Sequence, residues 1–296
     1  MTSSERPFRF GVNLRTVDDR RSWLDGARRV EELGYDMLLV PDHLGFPSPF
    51  PALVAAAGVT DHLRLGTCVL NAGFYNPTIL ARDVATADVS TGGRIELGLG
   101  TGYVRAEFET AGLPFESAGQ RVAHLRTTVE TVYDLFDDES HAPRPTQSHV
   151  PLFLAGNGDK MLRLAAERAD IIGFTGASTD RDGTMSLNSP ADLGSRVQFA
   201  RDAAGDRADS IEWNLLVQRV VITDDHEQIT AELHEQFAPE LTPAEFAEHP
   251  TILVGTVEQI AAKLNELRER TGISYITVSE PDLAIFAPVI ELLRSC

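Results

Sequence analysis

The chain has 296 residues, of which 43% are hydrophobic and 24% charged, enough for one large core without disulfide staples. A net charge of −18 excludes a nucleic-acid partner held by general electrostatics, because phosphate would be repelled. The two cysteines, Cys68 and Cys296, stand at no metal-ligand spacing, no leader pattern opens the chain, and no apolar run is long enough for a bilayer; the expectation is a reduced, cytoplasmic protein with no membrane partner.

The first apolar run, FRFGVNL at 8–14, reads as a strand, and the stretch from Ser22 to Leu33 follows as an amphipathic helix. Trp23, Ala27, Val30 and Leu33 fall on one face there, with Arg and Glu on the other, and Gly34 ends it. Further strand-like runs stand at 35–40, 63–70, 94–100, 150–156, 170–176, 211–222 and 274–280. Most are continuous apolar stretches, the pattern of strands buried on both faces of a parallel sheet. Helical patterns separate them at 76–90, 119–137, 158–168, from Ser189-Pro190 onward, 256–271 and 282–294, with an extra helix at 226–237. Strict alternation predicts a single α/β domain over 1–296: a (β/α)8 TIM barrel with an extra helix and long loops at the C-terminal face. The long connections, 101–118 and 175–189, follow strand C-termini, where barrel enzymes build their sites. An open dinucleotide-binding sheet is the structural rival. However, the turn after the first strand, Asn13-Leu14-Arg15-Thr16, has no glycine cluster, and the run at 98–102 lacks the third glycine.

Three places could carry chemistry. Asp42-His43 stands just past the second strand, at the mouth of such a barrel; it reads equally as a ring-contacting His tuned by its neighbour or as a helix-entry Asp beside a surface His. The third strand ends in Gly66-Thr67-Cys68-Val69-Leu70-Asn71, whose small side chains suit either a planar ring or tight packing. Gly156-Asn157-Gly158 opens a helix bearing Lys160, one of only two lysines with Lys263. Such a turn can bind phosphate on free N–H groups or simply supply positive φ. The other histidines, His249 among them, show no metal spacing and read as solvated surface.

Together these segments resemble the luciferase-like superfamily and, within it, the F420-dependent oxidoreductases. VPDHLG, LGTCVL, GGRIELGLGTGY and PLFLAGNGDKMLRLAAERAD carry the resemblance, which runs through nearly the whole chain. It implies a deazaflavin, coenzyme F420, at the barrel mouth and hydride transfer with a small organic substrate. The alternatives are an FMN-dependent monooxygenase and a deazaflavin carrier or sensor without turnover. It implies that Asp42 and His43 line the cofactor ring as the catalytic pair. Cys68-Val69 would be a non-prolyl cis peptide against the ring. Gly100, Thr101 and Gly102 would line the pocket, and Gly156, Asn157, Gly158 and Lys160 would lie near the phosphate-bearing tail. Arg105 and Arg181, in the long loops, join Lys160 as candidates for a cationic patch under that anionic tail. A homodimer is also implied. One departure stands out: sugar-phosphate dehydrogenases of this branch follow the GTG run with a catalytic Glu, and Tyr103 follows it here. That argues against sugar-phosphate oxidation, and neither Tyr103 nor Glu107 is assigned a proton-transfer role.

Overall fold

The computed structural model describes residues 6–179 and 185–295. The chain lays down β1 (Arg9–Asn13), β2 (Met37–Val40), β3 (Arg64–Thr67), β4 (Leu70–Asn71), β5 (Ile95–Gly100), β6 (Leu152–Ala155) and β7 (Ile171–Phe174). An antiparallel hairpin follows, β8 (Ala177–Thr179) with β9 (Met185–Leu187), and β10 (Glu212–Leu216) then returns to the barrel. β11 (Arg219–Ile222) and β12 (Ile252–Gly255) pair in parallel outside it, and β13 (Ile273–Ser279) lies between β10 and β1. All barrel neighbours are parallel, and Leu65↔Ile95 and Gly66↔Glu96 close the ring through β3 and β5. β3 and β4 form two halves of one stave. The TIM barrel read from the sequence is therefore the fold.

Helices cover its outside: α1 (Arg20–Glu32), α2 (Pro49–Ala57), α3 (Pro77–Ser90), α4 (Arg105–Thr110), α5 (Ala118–Asp137), α6 (Asp159–Arg168), α7 (Pro190–Ala204), α8 (His226–Phe237), α9 (Pro243–Glu248), α10 (Val257–Thr271) and α11 (Leu283–Ser295). Local chemistry sets their starts. Asp19 accepts from the Ser22 backbone N–H at 2.8 Å in a capping box ahead of α1, which buries Trp23, Leu24, Ala27 and Val30. Ser189 caps α7 in the same way, with Pro190 in its first turn.

Every residue of β2 and β5 is buried, because helices pack outside and side chains fill the inside. Inside, Met37, Leu39, Phe153, Ile171 and Tyr275 form a separate apolar plug, with Cys68, Val69 and Ala155 against it. Gly173 leaves the space that the Phe153 ring occupies; an added Cβ would overlap that ring.

Several elements differ from the sequence reading. The apolar run 211–222 is two strands, not one. After β10 the chain leaves the barrel where Val217 N–H donates to Thr277 O and Gln218 N–H to Thr251 O, each at 2.8 Å. Hydrophobicity persists because Val220 is buried in the outer sheet, so the change of sheet leaves no mark on the pattern. The 101–118 connection contains α4, and 175–189 contains the β8–β9 hairpin. His249 is fully buried rather than solvated: its Nε2–H donates to Asn188 O at 3.0 Å, and the Thr251 hydroxyl donates to Nδ1 at 2.7 Å. Burial pushes it down to about 4, so it is a neutral ring tying the hairpin's exit to β12.

Asp282, just after β13, is 3% exposed. Burial pushes its carboxyl up to about 6, against the pull of Arg219 and the Val220 N–H. A raised carboxyl contributes stability that is fully present below the unfolded value of 3.8 and is lost as pH rises through about 6. Asp282→Asn keeps an acceptor for Val220 and removes the charge. Urea unfolding should show a gain on the order of 1–3 kcal/mol at pH 7.5 and almost none at pH 4. An equal gain at both values would mean that charge burial is not the cause.

Candidate active site

The parallel staves all end at one mouth, and the chain gathers its polar side chains there. Asp42 and His43 follow β2 in a short loop, yet they point to different partners. The Asp42 carboxylate accepts from the Asn71 backbone N–H at 3.0 Å and from the Tyr75 hydroxyl. Burial raises its pKa, and these hydrogen bonds and His43 partly offset the rise. It ties the end of β2 to β4. The carboxylate that orients His43 is Glu107, from α4: Glu107 Oε1 lies 2.8 Å from His43 Nδ1. Both are sheltered, with side-chain exposures of 28% for His43 and 15% for Glu107. The rings of Phe46 and Tyr103 meet the imidazole edge-on at 5.6 and 5.7 Å. Burial and the nearby Glu107 charge raise the Tyr103 hydroxyl above its ordinary value, so at neutral pH it is a donor and not a phenolate.

The expectation that Asp42 sets the state of His43 is thus corrected. The sequence names Glu107 but gives it no role, because spacing alone does not bring it to His43. The available signal was a carboxylate five residues beyond Gly102, on a loop that had to return over the mouth. Asn13 and Tyr75 are given no role by the sequence, and Asn71 enters there only as the end of the third-strand run.

The floor lies between β3 and β4, where the Cys68–Val69 peptide is cis, as the resemblance implies. Burial pushes the Cys68 thiol up to about 12, partly offset by a hydrogen bond with the Asn13 amide, so Cys68 is no nucleophile at neutral pH. Asn13 Oδ1 is buried there without a partner among the described residues. Gly100, Thr101 and Gly102 lie beside this floor. An added Cβ at Gly100 would run into Val69, and one at Gly102, where φ is +69°, would overlap the Asn71 amide. Both glycines therefore let the strand end press against the floor.

The remaining predicted residues are further round the rim. Gly156 and Gly158 flank Asn157, whose side-chain amide donates to Ala177 O and so holds the β8 hairpin to the end of β6. Gly158 caps α6 with no side-chain bond, so no capping side chain occupies the first-turn N–H groups of α6, and nothing lies within 4 Å of where a Gly158 Cβ would be. Lys160 is exposed, and its ammonium lies beside Gly119 in the first turn of α5. Arg181 lies outside the described residues. No described helix is long and apolar enough to cross a membrane.

Comparison with known proteins agrees with this architecture. An F420-dependent glucose-6-phosphate dehydrogenase from Kribbella flavida is 30% identical over 297 aligned positions, covering 92% of this chain and 85% of the relative. Among solved structures, the coenzyme F420-dependent tetrahydromethanopterin reductase of Methanopyrus kandleri superposes with a TM-score of 0.74 at 20% identity, covering 97% of this chain and 100% of that one. A monooxygenase from Streptomyces bottropensis superposes equally well, with a TM-score of 0.74, 20% identity and the same two coverages. At that identity the superpositions speak for the fold alone. A family model described as luciferase-like monooxygenase matches residues 6–248, and the chain belongs to that family.

Proposed function

We propose that this oxidoreductase uses coenzyme F420, and that His43, oriented by Glu107, handles the proton that accompanies hydride transfer to or from a small organic substrate. The observation that carries this reading is the 2.8 Å His43–Glu107 contact at the barrel mouth. With Nδ1 engaged by a carboxylate, the imidazole keeps a defined tautomer, and Nε2 is the nitrogen left to take or give a proton. F420 supplies the hydride chemistry when bound. The protein's part is to hold the ring, place the proton group and exclude water.

The residues present suit a planar ring with polar edges. Asn13 Oδ1 is a buried acceptor with no protein partner, Gly100 and Gly102 keep the wall at backbone thickness, and the uncapped start of α6 can accept a phosphate. Tyr103 stands where a sugar-phosphate dehydrogenase carries its acid, and the Glu107 carboxylate is spent on His43. A neutral alcohol or carbonyl compound is therefore the substrate class this site favours, not a sugar phosphate. The Kribbella flavida relative, named for F420, supports the cofactor choice.

The test is paired fluorescence titration with F420 and FMN. The reading expects tighter F420 binding, and a gain in affinity at low salt, since exposed charges are screened over about 10 Å at 0.1 M. Tighter FMN binding, or FMN carried through purification, would overturn it in favour of the monooxygenase.

A further inference from the structure

Beyond the His43–Glu107 pair, the barrel mouth carries an apolar lip that the proton chemistry does not use. Leu44 is 49% exposed, Phe46 38% and Tyr103 43%, and all three stand on the two connections that bring His43 and Glu107 together. Other open apolar side chains, such as Val89 in α3 and Phe237 in α8, stand on separate helices, which is ordinary for a surface. A contiguous apolar patch around a reactive polar group is not ordinary, and it marks a place where a ligand lies.

The lip is built before any ligand arrives. The chain after β2 turns back on itself, with Phe46 N–H donating to His43 O at 3.0 Å and Gly45 at φ +100°, a value that favours glycine. An added Cβ at Gly45 would meet nothing within 4 Å, so the tip of this turn projects into open space. Leu44 and Phe46 pair across it in a single β-bridge, and the Phe46 ring meets the imidazole edge-on at 5.6 Å. Pro47, Pro49 and Pro51 follow, and each fixes its own φ, so the turn has few other shapes. Tyr103 contributes the second ring against the imidazole, at 5.7 Å.

The charges beside the lip narrow what can bind. Asp42 and Glu107 are charged neighbours of His43, and an anionic group would meet both. Neither carboxylate is open to a substrate cation, because the Asn71 N–H and His43 already hold them. Arg105, two residues beyond Tyr103, has its guanidinium over Phe115. What suits the site is a neutral molecule whose oxygen meets His43 and whose hydrocarbon part covers the lip. There is room for more than a methyl group. Pro47, next to Phe46, begins a groove of about 480 Å³ between α1 and α2, walled by Val17, Trp23, Pro51 and Ala52.

We propose that Leu44, Phe46 and Tyr103 are specificity-determining residues that select, among neutral alcohols and carbonyl compounds, those bearing a bulky hydrocarbon group next to the reacting carbon. This rests on the function proposed above and narrows its substrate class. Covering the lip removes apolar surface from water and shields the proton-transfer step from solvent.

The experiment measures kcat/KM of the full chain with F420 for isopropanol and cyclohexanol, and for acetone and cyclohexanone in the reverse direction. The proteins compared are the wild type, Leu44→Ser, Phe46→Ser and, away from the mouth, Val89→Ser. All three substitutions fall on exposed side chains. The wild type should favour the six-carbon substrate of each pair by about 10-fold or more, and Leu44→Ser and Phe46→Ser should each lower that ratio roughly 10-fold. Val89→Ser should leave the ratio as it is. An equal loss for both substrates of a pair would mean that Phe46 only steadies His43, and would overturn the proposal. A changed sedimentation coefficient with an unchanged ratio would assign the lip to a second copy of the chain, and would overturn it too. A second readout needs no cofactor: saturation-transfer NMR from the protein to cyclohexanol, which should weaken in Leu44→Ser and Phe46→Ser but not in Val89→Ser. A wild type that shows this lip-dependent transfer, yet turns over no alcohol or ketone with F420, would overturn the reaction proposed above while supporting the lip as an apolar binding site. Absence of transfer in the wild type, or transfer indifferent to both lip variants, would overturn the lip alone.

Discussion

His43→Gln is expected to lower turnover by about 10²–10⁴-fold, the range that a positioned proton-transfer group contributes. The readout is the change in deazaflavin absorbance with a panel of small alcohols and carbonyl compounds. Glutamine keeps hydrogen-bonding capacity near Glu107 but cannot exchange a proton, so the loss should fall on kcat more than on cofactor affinity. Stability should change little, because the imidazole is partly exposed and makes only edge contacts with Phe46 and Tyr103. Glu107→Gln should be milder, about 10–100-fold, because it leaves an imidazole in place with a weaker orienting partner. Asp42→Asn gives the internal contrast. Asp42 acts on the backbone of Asn71, so its loss should loosen the β2–β4 corner and raise the apparent Kd of the cofactor before it touches kcat. Unchanged kcat in His43→Gln would reduce His43 to a rim residue and remove the proposed proton path.

The sequence made the barrel legible because both of its periodicities are strong. Buried parallel strands such as Met37–Val40 read as unbroken apolar runs, and α1 shows its Trp23, Ala27 and Val30 stripe directly. What escaped had no stripe. α2, with the sequence PFPALVAAA, is apolar nearly all round, so it offers no polar face to mark a period. α4 has only six residues, too few for a pattern, yet it delivers Glu107. The site was half visible for a related reason. Motif position placed His43, Cys68-Val69 and the two glycine turns at the strand ends, where the structure has them. Adjacency in sequence suggested Asp42 as the partner of His43, but consecutive loop residues aim their side chains apart, and the partner came from the neighbouring connection. Side-chain direction is a tertiary property, and neither spacing nor composition encodes it.

Glu96 governs the other large effect, at the opposite end of the barrel from the mouth. Its carboxylate, 5% exposed, receives hydrogen bonds at 2.5 Å from both Arg9 Nη2 and Arg64 Nε. Arg9 also bonds Glu212 at 2.9 Å, and its guanidinium carbon lies 4.7 Å from the Tyr275 ring centroid. Burial alone would lower the Arg9 pKa, but Glu96, Tyr275 and Glu212 together hold it above its ordinary value. Two cations are thus balanced by two carboxylates beneath an apolar plug. Glu96→Gln preserves shape and removes one charge, leaving Glu212 as the remaining anion for the mostly buried Arg9 while the half-buried Arg64 loses its carboxylate. Removing one partner of a buried network costs about 3–5 kcal/mol, because the stranded charge stays desolvated. The urea midpoint should fall by a corresponding amount with the slope unchanged. Adding Arg64→Met to Glu96→Gln should recover part of the loss, since Arg64, paired only with Glu96 among the described residues, is the cation left without a carboxylate, and the two sites are in direct contact. A cost below about 1 kcal/mol for Glu96→Gln would mean that water reaches this end of the barrel and solvates the arginines. Because the network caps the strand N-termini while His43 sits past a strand C-terminus, kcat of the folded Glu96→Gln protein should remain near the wild-type value. Loss of activity alongside intact folding would instead reveal coupling through the Tyr275 column, whose buried hydroxyl ends near Gly11 below the Cys68 floor.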